Sequence, residues 1–492
     1  MSEALVGLDV GTTAVKGIAI DRGGSVLART QLGYPLSTPR PGWAEQDPED
    51  WWHAAEAVLS RLRDEAGPPA GIGLSGQMHG LVALDASDRV LRPAILWSDQ
   101  RTAAECREIE DRVGLERLIA LTGNRALPGF TAPKLLWLRA HEPDVYSQIA
   151  SALLPKDYVR LRLCGERATD LSDASGTLLL DVARRRWSED VLEALELDPA
   201  ILPTALEGPE VSGHTAAGVP VAAGGGDQAA GALGVGVAAP GPFSVALGTS
   251  GVVFAALEEF VFDERGRVHA FCHAVPRAWH AMGVMLSAGG SLRWLRDSIA
   301  PDEEFSELLA GAEDWAPGCE GLTFLPYLAG ERTPHADPDA RGAFVGLSLR
   351  HDRAALVRSV LEGVAYGLRD SLDLVAGLGT GSDGGAEARE RPEAAAPRIG
   401  RVAGGGARSD LWLSIIASVL ELPLERVAVD EGAAFGAALL GGMSAGVWPD
   451  AGAAVEATVR ARDVVEPVPE WVEAYREGRQ RFRELYPAIR AV

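Results

Sequence analysis

The sequence predicts an α/β fold built twice over, and three observations carry that reading. Apolar strands and amphipathic helices alternate from end to end, one strand–turn–strand motif occurs in two copies, and two runs of three glycines each join a strand to a helix. The two copies are Leu8-Asp9-Val10-Gly11-Thr12-Thr13-Ala14-Val15 and Val245-Ala246-Leu247-Gly248-Thr249-Ser250-Gly251-Val252, whose central glycines stand 237 residues apart. Each is an apolar strand, a Gly-Thr tip and a second apolar strand, a hairpin that presents backbone N–H groups and small hydroxyls to an anion. One such hairpin is more often a plain turn; a matched pair points to a grip on one polyphosphate.

The elements run in order. Residues 4–10 alternate into a strand, Gly11-Thr12-Thr13 turns, residues 15–20 return, and Asp21-Arg22-Gly23-Gly24 turns again into 25–31. Asp47-Pro48-Glu49-Asp50 supplies an N-cap, a proline at the first helical position and early acids. The helix it opens carries Trp51, Ala55, Val58, Leu59 and Leu62 on one side. Residues 72–75 read as a buried strand leading into Gly76-Gln77-Met78-His79-Gly80, after which 81–84 and 90–97 flank a turn at 85–88. The apolar run 219–223 leads into Gly224-Gly225-Gly226-Asp227 and a small-residue helix beginning Gln228-Ala229-Ala230-Gly231. The second triple glycine, Gly404-Gly405-Gly406, comes after the strand Ile399–Ala403 and precedes a helix starting near Asp410. Residues 432–440 form a Gly- and Ala-rich helix suited to close helix crossing, and 379–397 read as a long solvated loop to which no function is assigned.

Composition bounds the chemistry. The 492 residues, 47% hydrophobic and 23% charged, are ordinary globular material for two or three domains. The formal charge of −23 is spread without a long acidic block, which argues against a nucleic-acid or anionic-membrane partner, so any phosphate is held locally. Cys106, Cys164, Cys272 and Cys319 lie far apart with no C-x-x-C pair, suggesting buried thiols rather than zinc or disulfides. The first strand begins at Leu5, and every long apolar stretch is broken, so the expectation is a cytoplasmic chain with no export signal and no membrane span. No G-x-x-x-x-G-K-[ST] occurs, and no G-x-G-x-x-G opens a helix after the first strand, so a nucleotide site is of another kind. A bare Gly-Gly-Gly-Asp is usually a turn whose aspartate caps a helix; beside the paired hairpins it reads as a carboxylate held clear at the mouth of a glycine turn.

These residues resemble the FGGY carbohydrate kinases of the actin, hexokinase and heat-shock ATPase fold, and within them the bacterial xylulokinases. The resemblance runs over nearly the whole chain. It is strongest at Trp43-Ala44-Glu45-Gln46-Asp47-Pro48, Gly76-Gln77-Met78-His79-Gly80, Leu91-Arg92-Pro93-Ala94-Ile95-Leu96-Trp97, Pro128-Gly129-Phe130-Thr131-Ala132-Pro133-Lys134, Leu154-Pro155-Lys156-Asp157-Tyr158 and Gly330-Glu331-Arg332-Thr333-Pro334-His335. Ala140 and Ala355 stand where the wider family pattern carries polar residues. The resemblance implies two ribonuclease H-like (actin/hexokinase-like ATPase) α/β domains around a central cleft. Residues 1–240 would form the side of the sugar and the catalytic base, and 241–492 the nucleotide side, with the last ~45 residues candidates to pack back on the first domain. The lobes would join near the Asp227 turn and Pro240-Gly241-Pro242, and their closure would exclude water.

It also implies roles. Asp227 matches the base that orients a sugar hydroxyl and accepts its proton, and Asp9, whose echo is Ala246, matches an aspartate acting near the magnesium of ATP through coordinated water. Met78 and His79 match the pair that touches the ketose. Gln228 replaces the asparagine of the xylulokinases and is similar to glycerol kinases at that point. Asp99 and Arg101 lie in a loop that approaches the sugar in related kinases, with a surface ion pair as the rival account. Gly11, Thr12, Thr13, Gly248, Thr249 and Ser250 would face the phosphates, and Gly404, Gly405, Gly406 and Ala407 the adenosine. The implied activity is ATP- and Mg2+-dependent phosphorylation of D-xylulose at its terminal hydroxyl. Another ketose or polyol (ribulose, a hexulose, glycerol) is the nearest rival, and a non-catalytic ATP-driven switch a rival of another class. The resemblance also suggests a homodimer.

Overall fold

The computed structural model describes residues 4–378, 396–429 and 431–490. The loop read at 379–397 lies, but for its last two residues, outside them.

Strands β1 (Ala4–Val10), β2 (Ala14–Ile20) and β3 (Val26–Gly33) form the expected antiparallel meander. Helix α1 (Pro48–Ala66) starts where the Asp47 side chain accepts the Glu49 N–H, and it buries Trp51, Ala55, Val58 and Leu62 against β2 and β3. Leu59, expected on the same face, is only partly buried. The chain then returns as β4 (Pro69–Gly76), parallel to β1. Of the apolar run at 90–97 only Ala94–Ile95 forms a strand, since Pro93 cannot donate to a ladder. With β5 (Val211–His214), β6 (Pro220–Ala222) and β7 (Gly225–Gly226) the first sheet has the order β5-β6-β4-β1-β2-β3, with β7 also paired to β4.

The second sheet contains β8 (Pro242–Leu247), β9 (Gly251–Leu257), β10 (His269–Cys272), β11 (Trp279–Met285), β12 (Ile399–Ala403), β13 (Leu424–Val427) and β14 (Ala461–Val465), in the order β10-β11-β9-β8-β12-β13-β14. In it β8 runs antiparallel to β9 and parallel to β12, as β1 runs to β2 and β4 in the first. The repeated Gly-Thr motif is thus the visible part of a repeated sheet.

The helices that matter for the site are α2 (Thr131–His141), α3 (Pro155–Cys164), α4 (Leu171–Ser175), α5 (Asp227–Gly234), α6 (Gly289–Ile299), α7 (Arg353–Gly377), α8 (Asp410–Leu420), α9 (Gly432–Ser444), α10 (Ala451–Thr458) and α11 (Pro469–Arg490). Although α9 comes late in the chain, it packs on β1, β4 and α5 of the first lobe. It approaches them backbone to backbone: a Cβ on Gly73 would lie 1.7 Å from the Ala437 carbonyl oxygen, and one on Gly436 would lie 1.8 Å from that of Ala230. The return to the first lobe is therefore made by 432–458, where α10 joins α9 on α5. Of the last ~45 residues, which were expected to pack back on the first domain, Trp448, Ala451 and Ala454 join the first core, whereas β14 joins the second sheet and α11 buries Tyr475, Phe482 and Tyr486 in the second core. The reason is surface shape: only the Gly- and Ala-rich α9 fits a sheet studded with glycine.

All four cysteines are free; Cys106, Cys272 and Cys319 are buried and Cys164 partly so. Among the described residues no helix is long and apolar enough to cross a membrane.

Candidate active site

Three parallel strands end level with one another. Asp9 pairs with Ser75 and Ser75 with Gly225, while Val10 pairs with Gly76 and Gly76 with Gly226. The segments leaving these strands therefore emerge at one edge: Gly11-Thr12-Thr13 after β1, Gln77-Met78-His79 after β4 and Asp227 after β7. The carboxyl ends of parallel strands are where α/β sheets bind ligands.

The glycines before Asp227 are required by close neighbours. Gly224 adopts φ +91°, and a Cβ there would lie 2.1 Å from the Leu74 carbonyl oxygen; a Cβ on Gly226 would lie 2.9 Å from the Met78 sulfur. Burial pushes the Asp227 carboxyl up to about 7, the nearby charge of Asp9 adds to this, and Gln228 opposes it by donating to Oδ1 at 3.3 Å. Burial likewise pushes Asp9 up to about 6 against the pull of Lys16, and among the described residues Asp9 Oδ1 is buried with no hydrogen-bond partner.

The first hairpin tip is braced by side chains from the motifs around it. Gln46 donates to the Thr12 carbonyl at 2.7 Å, Trp97 donates to the Thr12 hydroxyl at 3.0 Å, and that hydroxyl donates to Gln77 at 3.3 Å. Thr13 is exposed. In the second hairpin the carbonyls of Gly248 and Thr249 accept from the N–H groups of Ala288, Gly289 and Gly290 at the start of α6, while Gly248 and Thr249 themselves are exposed. Gly404 and Gly406 press on this hairpin: a Cβ on the first would lie 2.8 Å from the Leu247 carbonyl oxygen, and one on the second 2.9 Å from the Leu247 Cβ. Gly405 is open to solvent, with nothing within 4 Å of a Cβ. Ala407, expected beside the adenosine, turns its methyl group into the second core within the turn Gly405–Arg408.

His79 has its geometry set from three sides. Its φ is +70°, its carbonyl accepts from Lys134 at 2.8 Å and from the Thr131 hydroxyl at 3.0 Å, and its Nδ1 lies 2.6 Å from the Gly176 carbonyl oxygen. Burial pushes its imidazolium down to about 3, with Lys134 and Arg332 adding to the shift, so the ring is neutral at physiological pH. A carbonyl only accepts, so the proton sits on Nδ1 and Nε2 keeps a lone pair for a donor such as a hydroxyl. Met78 is buried against Gly226 and Gly176, one residue from the Asp227 carboxylate and one from α4.

Asp99 and Arg101 form neither a surface pair nor an open sugar contact. The Asp99 carboxylate accepts from the Ala44 N–H at 2.7 Å and from Arg101 through N, Nε and Nη2 at 2.9, 2.9 and 2.7 Å. The Arg101 side chain is 1% exposed, reaches Glu45 at 2.8 Å and stacks 3.5 Å over Trp43. Together they brace the segment that carries Gln46.

Four neighbours of the site escaped the residue-by-residue reading, although each lies in one of the motifs that carry the family resemblance. Gln46 and Gln77 hold the hairpin tip. Lys134, fully buried and pushed down to about 7 by burial, holds His79 and Gly129. Arg332 places Nη1 3.2 Å from His269 Nε2, and His269 stacks on Phe271 and edges Phe130, the same two rings that border His79. The carboxyl that acts on the Arg332 guanidinium is that of Glu331, beside it in the chain. A buried lysine or an arginine in a Gly-Glu-Arg run gives no periodicity, so only its neighbours reveal it.

A hollow of about 490 Å³ between α11 and the helices α7 and α8, lined by Arg369, Arg476 and Arg479, lies apart from these residues. Its arginines already meet Asp373, Glu421 and Asp370.

The family models described as "FGGY family of carbohydrate kinases", N-terminal and C-terminal domain, match residues 4–234 and 243–445. The "Xylulose kinase" of Escherichia coli (strain K12) is 42% identical over 98% of this chain and 99% of its own length. The "Gluconokinase" of Bacillus subtilis (strain 168) is 29% identical over 90% of this chain and 87% of its own. A solved structure from Brucella ovis, described as a "xyloylose kinase", is 40% identical and superposes over 99% of this chain and 100% of its own with a TM-score of 0.91. With both halves matched, two repeated α/β sheets and a carboxylate standing at the strand ends, the chain belongs to the FGGY family of carbohydrate kinases and is an ATP-dependent sugar kinase.

Proposed function

We propose that the chain transfers the γ-phosphoryl group of ATP to the terminal hydroxyl of D-xylulose, giving D-xylulose 5-phosphate and ADP. The observation that carries this is the level ending of β1, β4 and β7, which gathers Asp9, Met78, His79 and Asp227 at one edge. Asp227 orients the attacking hydroxyl and accepts its proton as the bond to phosphorus forms. His79 accepts a hydrogen bond from a second hydroxyl through Nε2, and Met78 supplies the apolar wall. Gly11, Thr12, Thr13, Gly248, Thr249 and Ser250 hold the phosphates, and Gly404, Gly405 and Gly406 border the adenosine. The residues fit a magnesium ion carried in with the nucleotide, because Asp9 offers a buried oxygen, without a partner among the described residues, to a water coordinated to the ion, and magnesium takes its ligands from water and phosphate. Bound there, the ion would neutralise charge on the phosphates. Two carboxylates and a neutral histidine at this edge suit catalysis rather than a non-catalytic switch.

The test is sugar-dependent ADP release over a panel of D-xylulose, ribulose, hexuloses, glycerol and gluconate. Gluconate belongs in it because the buried Arg332 guanidinium acts on the His79 ring, a specific feature favouring an acidic sugar as the second reading. The expected outcome is highest kcat/KM for D-xylulose, and His79→Ala should raise its KM by roughly tenfold or more while leaving that of ATP near native, the loss of one hydrogen bond in a water-poor pocket. Preference for gluconate, or a rise in the ATP KM alone, would displace the reading.

Acid should inactivate the enzyme early. The base acts ionised, and burial raises Asp227 to about 7. Activity should therefore climb with pH through about 7 and level off above it. The kcat/KM profile for D-xylulose measures this. A profile already flat from about pH 5 upward would belong to an ordinary carboxylate and not to this one.

A further inference from the structure

Taking Asp227 as the base, we infer that α4 sets that base in register with the sugar ligand and that Ser172 is the positioning residue through which it acts on Asp227. Gly226, the residue before Asp227, donates its N–H to Ser172 Oγ at 3.0 Å. The Ser172 hydroxyl donates to Asp170 Oδ1, which also accepts the N–H groups of Ser172 at 2.9 Å and Asp173 at 3.1 Å. Asp170 Oδ2 lies 2.8 Å from Lys156 Nζ, and the same ammonium meets Asp173 at 2.8 Å and Asp157 at 2.9 Å. Asp157 holds Arg160 at 2.5 Å, and Arg160 donates to the Ala223 carbonyl. The network therefore grips the glycine turn at both ends, at the carbonyl of Ala223 and the N–H of Gly226.

The hydroxyl's direction is fixed by charge. Burial would raise the Asp170 carboxyl, but Lys156 outweighs it and holds the group below the usual carboxylate range. An ionised Asp170 only accepts, so Ser172 must give it the hydroxyl proton and turn a lone pair to Gly226. Burial pushes the Asp173 carboxyl up from its ordinary range, against the pull of the Lys156 ammonium beside it. The side chains of Lys156, Asp157, Arg160, Asp170 and Asp173 are all 0% exposed. Buried ion sets contribute little stability over apolar packing of the same volume. What this one supplies is direction, for a carboxylate that comes after three soft glycines.

The same helix reaches the rest of the site. Its last residue, Ser175, accepts the Cys272 N–H of β10 at 3.0 Å, and the next, Gly176, offers its carbonyl to His79 at 2.6 Å. Base, sugar ligand and second lobe are thus referred to five residues of helix.

The test uses the purified full chain with D-xylulose and ATP. Ser172→Ala should lower kcat roughly 10- to 100-fold, the loss expected of about 1 Å of misplacement, and change the ATP KM by less than about twofold. Added to Asp227→Ala, it should lower kcat by less than about twofold more, because a residue that acts through the base has nothing left to position. Ser172→Thr keeps the hydroxyl and should recover most of the turnover. Thr177→Val removes another buried hydroxyl nearby, one that serves only Ala174 and Leu179, and should leave kcat near native. If Ser172→Ala does not fold, Ser172→Cys is read by the same criteria. Native kcat in the Ser172 variant overturns the inference, and so does a loss that multiplies onto that of Asp227→Ala. Retained turnover in Asp227→Ala alone would instead remove the base reading beneath it.

Discussion

Asp227→Ala is expected to bind ATP nearly as the native protein does and to lose turnover by roughly 10²–10⁴-fold, the contribution of a well-placed acid/base group. The proposed nucleotide contacts lie in the two hairpin tips and the second triple glycine, and none of them uses this carboxylate. Misfolding is the obvious competing explanation for a dead variant, and the electrostatics separate the two. Burial raises the Asp227 carboxyl from 3.8 to about 7, so the folded chain holds a proton that the unfolded chain releases. Stability from this group therefore falls as pH rises from about 4 to about 7, and the deficit stays constant above that. Asp227→Asn removes the deficit and should melt no lower than the native protein at pH 8, while its turnover falls with that of the alanine variant. Turnover near native in either variant would take the base role from Asp227, and a lower melting point at pH 8 would mean that its ionised form is stabilised rather than strained.

Much of the architecture was legible because strands and turns announce themselves in order. The alternation at 4–10 and 15–20, the Asp47-Pro48 helix start and the Gly-Thr echo led directly to the observed sheets. The carboxylates Asp9 and Asp227 could be singled out because glycines surround them. Other features depend on contacts distant in sequence. Nothing local to Asp99 and Arg101 says that Ala44, Glu45 and Trp43 enclose them, and nothing local to Ala407 says which way a short turn will roll it. The return of α9 to the first lobe was equally hidden, since a run of glycine and alanine shows that a helix packs closely without showing against what. Its partner glycines, Gly7, Gly71 and Gly73, lie more than three hundred residues earlier in the chain.

That crossing predicts a reversal of an ordinary rule. Replacing glycine by alanine inside a helix normally stabilises it by about 0.8–1.0 kcal/mol, because alanine has less backbone freedom to lose. In α5, Gly231→Ala should obey the rule or be neutral, since its Cβ would meet nothing closer than the Ala433 nitrogen at 3.8 Å. In α9, Gly436→Ala should break it, since the Cβ would lie 1.8 Å from the Ala230 carbonyl oxygen and 2.6 Å from the carbonyl carbon. Backbone cannot rotate away as a flexible side chain can, so α5 and α9 must separate, and overpacking of this kind costs about 1–3 kcal/mol or more. The propensity gain is smaller than that cost, and the net effect is destabilising. Urea or thermal unfolding of the two variants measures the difference in sign. Turnover should fall in parallel, because α5 begins with Asp227 and any shift of the helix is a shift of the base. Equal stability of Gly231→Ala and Gly436→Ala would mean that the two helices do not touch through their backbones, and the route by which the late chain supports the carboxylate would have to lie elsewhere.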